Sequence, residues 1–296
     1  MALTERIQSM ATVLDFIESR GSATAKEIIT RLKEKELPDS QRTFERLKDE
    51  MRDSFGLELV YEKPVYRLVK HEHPAQDWLF HMIQAVTELD FFKAAINNPR
   101  YQKRILFDES EVPTYYHHLQ DIFEAIVKQR RIKFTYHFIG IDRIYESELE
   151  PYLLKKHRQR WYVVGRSILK DDLRNFALDR MQDVVVSDES FKFEGYAEVA
   201  ENYSQIIGIN YSGELCKVVI RAFDIQSRYL SKVPLHHSQE VVGTGDDYID
   251  YSYDLRPNYE LKHELMRISN QIRVMEPEWL REEVVEMLEE GIRKAR

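Results

Sequence analysis

The chain has 296 residues, 43% of them hydrophobic and 32% charged, with a formal net charge of −8 and one cysteine. That length predicts two or three domains, no apolar run approaches the ~20 residues of a membrane helix, and a lone Cys216 excludes an internal disulfide or a cysteine metal cluster. The charge is uneven: residues 128–180 carry 13 Lys and Arg against 7 Asp and Glu, whereas residues 181–296 carry 13 against 22.

The N-terminus opens as an amphipathic helix without the charged-then-apolar layout of a signal peptide, so a cytoplasmic protein is expected. Ile7, Met10, Val13, Leu14 and Ile17 form one helical face, which Gly21 stops. Thr24 and Glu27 are spaced as a capping box for a second helix. Asp39 or Ser40 caps a third, carrying Phe44, Leu47, Met51 and Phe55 and ended by Gly56. Two strand patterns, LELVYE and VYRLV, follow around Lys63-Pro64. Three helices and a hairpin within residues 1–70 outline a winged helix-turn-helix. Ser40, Gln41, Arg42, Thr43 and Arg46 then lie on the outer side of the third helix as candidate contacts to double-stranded DNA, with Lys63, Arg67 and Lys70 on the wing. The alternative is a helical bundle for protein contact with these side chains merely solvated.

Residues 71–118 are expected to be a helical connector. One apolar stripe holds Trp78, Ile83, Val86, Leu89, Phe92 and Ile96, and a second runs from Tyr116 through Leu119, Ile122, Phe123, Ile126 and Val127. Asn97-Asn98-Pro99 and Glu111 to Thr114 punctuate them. Trp78, Phe80, Phe91 and Phe92 are candidates for a dimer interface, with packing inside one subunit the alternative.

From Arg131 the period switches to alternation. RIKFTYHF, SELEPYLLKK, RWYVVGRS, LRNFALDR and VVVSDESFKF read as five strands of a small closed barrel. Within it stand Glu150-Pro151-Tyr152, the triplet Trp161-Tyr162-Val163, and Arg174-x-Phe176-x-Leu178-Asp179-Arg180. These three blocks, in that order, resemble the WYL domain of bacterial transcriptional regulators, with Val163 departing conservatively from Leu. The C-terminal third, with PLHHSQ at 234–239, RPNYELKHELM at 256–266 and VMEPEWLREEV at 274–284, is similar to the WCX extension that follows such domains.

The resemblance implies an α+β multidomain regulator: a winged helix-turn-helix at 1–70, the connector at 71–118, an Sm/SH3-like WYL β-barrel at 119–193 and a WCX α+β sandwich at 194–296. It also implies a homodimer that binds a duplex operator and senses an anionic effector, a nucleotide or single-stranded nucleic acid, without a cofactor. The alternative is an accessory nucleic-acid-binding module of a nuclease or phage-defence complex.

Arg174 and Arg180 share a strand face if no bulge intervenes, and Tyr136, His137, Tyr152 and Trp161 in neighbouring strands offer stacking faces or donors. Trp161 and Tyr162 face opposite ways, with Tyr162 favoured outward as a ligand contact. Arg180 beside Asp179 also fits a plain ion pair, and Lys155, Lys156, His157, Arg158 and Arg160 fit a solvated hairpin tip, with His157 and Arg158 alternatively at the rim of the ligand site. No phosphate-cradling glycine loop, metal-ligand spacing or nucleophile motif supports an enzyme.

In the C-terminal third, KVVIRAF and DYIDYSYDL read as strands, and YELKHELMRISNQI and PEWLREEVVEMLEEGIRK as helices. The last helix is expected to bury Val284, Val285, Leu288 and Ile292.

Overall fold

A computed structural model describes residues 2–73, 75–96 and 117–296. The chain divides into two compact units, Met1–Glu111 and Val112–Arg296.

In the first unit, α1 (Leu3–Arg20) buries Ile7, Met10, Val13, Leu14 and Ile17 and ends where Gly21 takes a left-handed φ of 77°. α2 (Ala25–Glu34) begins on a complete capping box: Thr24 Oγ1 accepts from the Glu27 amide, and the Thr24 amide donates to Glu27 Oε2 at 2.8 Å. α3 (Gln41–Phe55) is capped by Ser40 and stopped by Gly56. The hairpin of β1 (Leu57–Glu62) and β2 (Val65–Lys70) runs in register from Leu57↔Lys70 to Glu62↔Val65. A bridge between Ala23 and Tyr66, with both amides donating, ties the α1–α2 link to the hairpin. The Tyr66 ring meets Phe44 edge-on at 5.3 Å, which fixes α3 beneath the same hairpin. α4 (Gln76–Ile96) turns Leu79, Met82, Ile83 and Val86 into this core. Trp78, Phe80, Leu89 and Phe91 are exposed, so the buried stripe starts at Leu79 rather than at Trp78. The expected breaks at 97–99 and 111–114, and Tyr116, lie outside the described residues.

The second unit starts with α5 (Leu119–Val127), which buries Ile122 and Ala125 but leaves Phe123 and Val127 exposed. Five strands follow: β3 (Arg130–Phe138), β4 (Arg143–His157), β5 (Arg160–Ser167), β6 (Asp172–Ala177) and β7 (Met181–Ser190). They pair antiparallel in the order β6-β5-β4-β3-β7. The sheet is therefore open, not the closed barrel expected from five successive strand patterns, because β6 and β7 are both edges with no ladder between them. The physical reason is a 3-10 turn at Leu178–Arg180, which ends β6 at Ala177 and lets β7 return to β3. β4 has 15 residues and carries a bulge between Pro151 and Leu153, where proline has no amide to donate. One sheet face packs Ile132, Phe134, Tyr136, Leu149, Val163, Phe176 and Met181 against Ile122 and Ala125. The other face, through Val164 and Leu173, packs on Tyr203, Ile206 and Ile209.

After α6 (Tyr196–Ser204) the chain forms β8 (Cys216–Phe223), α7 (Asp224–Lys232), β9 (Glu240–Thr244), β10 (Tyr248–Leu255), α8 (Tyr259–Arg267), β11 (Ile272–Glu276) and α9 (Glu278–Ala295). This is a βαββαβ unit plus a final helix, with strand order β11-β8-β10-β9. Val218, Ile220, Ala222, Tyr251, Tyr253 and Leu255 alternate onto one sheet face, where Leu230 of α7, Leu261 and Leu265 of α8, and Leu280 and Val284 of α9 cover them. In α9 the expected stripe is half right. Val284 is buried and Leu288 packs beside it, but Val285 and Ile292 are 46% and 55% exposed.

Residues 202–213 join the two halves of this unit through polar contacts. Lys155 Nζ donates to the Tyr203 carbonyl at 2.6 Å, and Asn175 Nδ2 to that of Ile209 at 3.0 Å. From the other side, Nε2 of both His236 and His237 donates to the Ser204 carbonyl, and Arg256 reaches Asn202, Gln205 and Gly213. Asn258, 1% exposed, donates through Nδ2 to the carbonyls of Ile207 and Asn210, both at 2.8 Å. Its Oδ1 accepts the Leu261 amide and so caps α8. Replacing Asn258 by Ala removes a cap and strips two carbonyls of their side-chain donor, so Asn258→Ala should cost about 3 kcal/mol. Urea unfolding of the full chain measures it, and an unchanged midpoint would contradict this account of the joint.

Candidate nucleic-acid interfaces

The first candidate surface is the outer side of α3. With Phe44, Leu47 and Met51 buried, Gln41, Arg42 and Arg46 fall on the exposed side. Ser40 Oγ accepts the Thr43 amide at 3.1 Å and pairs with Thr43 Oγ1 at 2.8 Å, so both hydroxyls are engaged in starting the helix. Gln41 Nε2 donates to Glu45 Oε1 at 3.0 Å, an exposed contact that a base or phosphate can displace. Arg42 and Arg46, one helical turn apart, have no carboxylate partner among the described residues, and neither has Lys63 at the hairpin turn. The other expected wing cations are neutralised: Arg67 pairs with Glu62 at 2.9 Å and Lys70 with Glu18 at 2.6 Å.

In the five-stranded sheet the expected ligand residues are dispersed. Tyr136 is a core residue, its ring edge-on to Phe134, Phe176 and Tyr145 and its hydroxyl accepting the Ala177 amide. Tyr152 is also buried, stacked on Phe193 at 3.8 Å. Neither presents a free ring to a ligand. His137 pairs through Nε2 with Asp142 at 2.7 Å, at the turn between β3 and β4. Arg174 is exposed and grips Asp172 through Nε and Nη2, which also holds that carboxyl below its usual range.

Arg174 and Arg180 do not share a strand face by parity. The 3-10 turn at Leu178–Arg180 breaks the alternation that would have aligned them.

The hairpin tip belongs to the joint with the C-terminal half. Arg158 pairs with Glu264 of α8. His157 is half-buried, and burial, helped by Arg158 and Lys155, pushes its imidazole below the usual value. Burial likewise lowers His236. Lys155, pressed over the Tyr203 ring, is brought down to about 8 by burial, a shift that Glu260 partly opposes.

What remains together is Tyr162 and Arg180, with Arg160 and Asp179. Arg160 and Tyr162, two apart in β5, occupy the same side of the strand. Burial raises the Tyr162 hydroxyl, while the charges of Arg160 and Arg180 act on it in the opposite direction. Asp179 leans toward Arg160, with Oδ2 at 3.7 Å from Nε, and its Oδ1 is buried without a hydrogen bond. Arg180 is half-buried and its Nε is also buried without a hydrogen bond. Trp161 packs at the edge of the core on the opposite side of β5. Arg160 was readable from the same two-residue period as Tyr162, but beside Lys155, Lys156, His157 and Arg158 it passes for part of the hairpin tip.

Among the described residues no group of three or more His, Cys, Asp or Glu is placed to hold a metal ion, and no helix is long and apolar enough to cross a membrane.

Lys155 generates a signed prediction. Its folded value of about 8 lies below the ordinary 10.5, so between those values the unfolded chain binds more protons and stability rises with pH. Urea midpoints from about pH 7.5 to about pH 9.5 should climb, and Lys155→Met should remove the climb. A slope that survives in Lys155→Met would assign it to another group.

The chain matches the WYL domain model over residues 117–186 and the WCX domain model over residues 214–292, so it contains both domains. No curated protein matches it. Among solved structures it is similar to proteasome accessory factor B/C (PafBC) of Arthrobacter aurescens, at 19% identity and a TM-score of 0.31, covering 95% of this chain and 46% of that one. The chain thus spans about half the length of PafBC. It is also similar to a CRISPR Cas-related protein, at 13% identity and a TM-score of 0.41, covering 99% of this chain and 85% of that one.

Proposed function

We propose that the protein is a DNA-binding transcriptional regulator, acting as a homodimer, whose WYL domain receives an anionic effector. The first unit is read as a winged helix-turn-helix with α3 as the reading helix and the β1–β2 hairpin as the wing. The helix followed by five antiparallel strands supports an Sm/SH3-like reading of the middle domain, left open rather than closed. The protein acts by binding, without catalysis.

The observation that carries this reading is the pairing state of the arginines. In the WYL domain Arg131 is held by Glu150 and Glu189, Arg166 by Asp171 and Glu150, Arg174 by Asp172 and Arg158 by Glu264. Arg143 and Arg180 have no carboxylate partner among the described residues, and Arg143 is simply exposed. Arg180 is different: a half-buried guanidinium with an unmet Nε–H favours an anion, and phosphate accepts from Arg in a bidentate fork. Tyr162 beside it adds a ring and a hydroxyl, the two contacts that hold single-stranded nucleic acid with little sequence preference.

Two variants separate the two surfaces. Arg42→Ala with Arg46→Ala should weaken binding to a selected duplex operator roughly 100-fold and flatten its salt dependence, with the effector site intact. Arg180→Ala should leave duplex affinity unchanged while weakening a short fluorescent single-stranded DNA roughly tenfold or more in anisotropy titrations. Equal single-strand affinity in Arg180→Ala would move the effector site elsewhere. Tight single-strand binding with no duplex operator would favour the accessory-module reading instead.

A further inference from the structure

The β4–β5 hairpin sets two titratable cations beside the Tyr162 site. Its ladder pairs Lys155 with Tyr162 and His157 with Arg160. Residues directly opposite in an antiparallel pair share one side of the sheet, with Cβ atoms about 5 Å apart. Across the other edge of β5, Tyr162 pairs with Ala177, the last residue of β6, from which the 3-10 turn carries Arg180. Tyr162 therefore stands between Lys155 on one side and the turn of Arg180 on the other. Leu153 and Val164 lie on the same side and pack on Tyr203 and Ile206, so Lys155 and His157 are half-buried there.

The charges of this row are only partly met. Arg160 reaches Asp179 at 3.7 Å, beyond hydrogen-bond length, and the Nε of Arg180 is unbonded. Of the three N–H donors of an ammonium, Lys155 uses one, on the Tyr203 carbonyl at 2.6 Å. Facing Lys155 are Tyr162 on β5, His157 on its own strand, the Tyr203 ring of α6, His236, and Glu260 of α8. Facing His157 are Lys155 and Arg158 on β4, Arg160 on β5, and Glu260 and Glu264 on α8. Neither carboxylate is free to serve them fully. Glu264 is shared by Arg158 and Arg267, and Glu260 Oε1 accepts the amides of Ile209 and Asn210. Burial therefore prevails over attraction: Lys155 titrates at about 8, and His157 below its usual value.

Resting on the anion site of the preceding reading, we propose that Lys155 and His157 form its proton-linked edge. A polyanion seated on Arg180, Arg160 and Tyr162 supplies the negative charge this row lacks, and it binds together with a proton. Arg160 and Arg180 stay charged at any working pH and give the site its basal attraction. Lys155 is half neutral near pH 8, and a neighbouring anion favours its charged form, so binding there takes up a proton and affinity falls as pH rises. His157 is uncharged at neutral pH and joins only on acidification, which raises affinity further.

The probe is an unphosphorylated oligothymidylate, whose thymines and phosphodiesters keep one charge state over the range used. Its affinity for the full chain should fall roughly threefold from about pH 7 to about pH 8.5 in anisotropy titrations. Lys155→Arg, whose guanidinium stays charged, should show no such fall. His157→Gln should keep the fall but lose a gain of roughly twofold or more between about pH 7 and about pH 5.5. Calorimetry of the wild type at about pH 8, in two buffers of different ionisation enthalpy, should register uptake of up to about half a proton per strand. Binding without proton uptake, or a fall that persists in Lys155→Arg, would overturn the linkage and leave the anion site standing. Absence of binding at every pH would overturn the anion site and the linkage together.

Discussion

The arrangement of the second unit depends on one requirement: the backbone carbonyls of residues 203–210 must find donors after α6 ends. A helix leaves its last carbonyls unbonded, and an irregular segment has no ladder to use. Here the donors come from both sides. Lys155 and Asn175 reach in from the five-stranded sheet, and His236, His237 and Asn258 from the βαββαβ half. Glu260 completes the set by accepting the amides of Ile209 and Asn210. Lys155 and Asn175 are anchored in strands and Asn258 at a helix N-cap, so the segment relates the WYL and WCX domains through directional bonds alongside the apolar contacts of Tyr203, Ile206 and Ile209. At the hairpin tip, Lys155 bonds this segment and Arg158 pairs with Glu264 of α8.

The charge of the chain acquires meaning only when pairing is counted. A net charge of −8 argues against binding an anion, and 13 basic residues in 128–180 argue for it. Neither number locates a site. Most of those cations face carboxylates a few residues away or across the sheet, as Arg131 faces Glu150 and Arg166 faces Asp171. In solvent such pairs contribute little to stability, but they remove the charge from long-range use. Arg42, Arg46 and Lys63 in one unit and Arg143, Lys156, Lys170 and Arg180 in the other are among the described cations that keep theirs, and of these Arg180 has a buried guanidinium nitrogen without a hydrogen bond.

How much of this was legible in the sequence follows from which periodicities survive folding. The three N-terminal helices, their caps and the hairpin were readable because Thr24, Ser40, Gly21 and Gly56 each act locally, and the structure uses each as its chemistry dictates. The strands of the middle domain were readable for the same reason, through alternation. Helix α7 and strands β9 and β11 were not read, since α7 has only nine residues and turns an apolar row outward, and β9 and β11 have five each. In α9, Leu280, Val284 and Leu288 line the side turned to the sheet, while Val285 and Ile292 lie at one edge of that stripe and stay exposed.

The site was less legible than the fold because it turns on parity. A strand-based argument places residues six apart on one face only while the two-residue period is unbroken. Between Arg174 and Arg180 the chain leaves β6 and makes one 3-10 turn, whose three-residue repeat erases the phase. Arg174 is left at an edge with Asp172 in reach, and Arg180 is carried toward the start of β5, where Arg160 and Tyr162 stand. The turn that denies the sheet its closure is therefore the same element that sets Arg180 apart from the paired arginines. Had Leu178–Arg180 continued as strand, both arginines would share one face, opposite the one on which Tyr162 pairs with Ala177, and the Tyr162 cluster would lack its second cation.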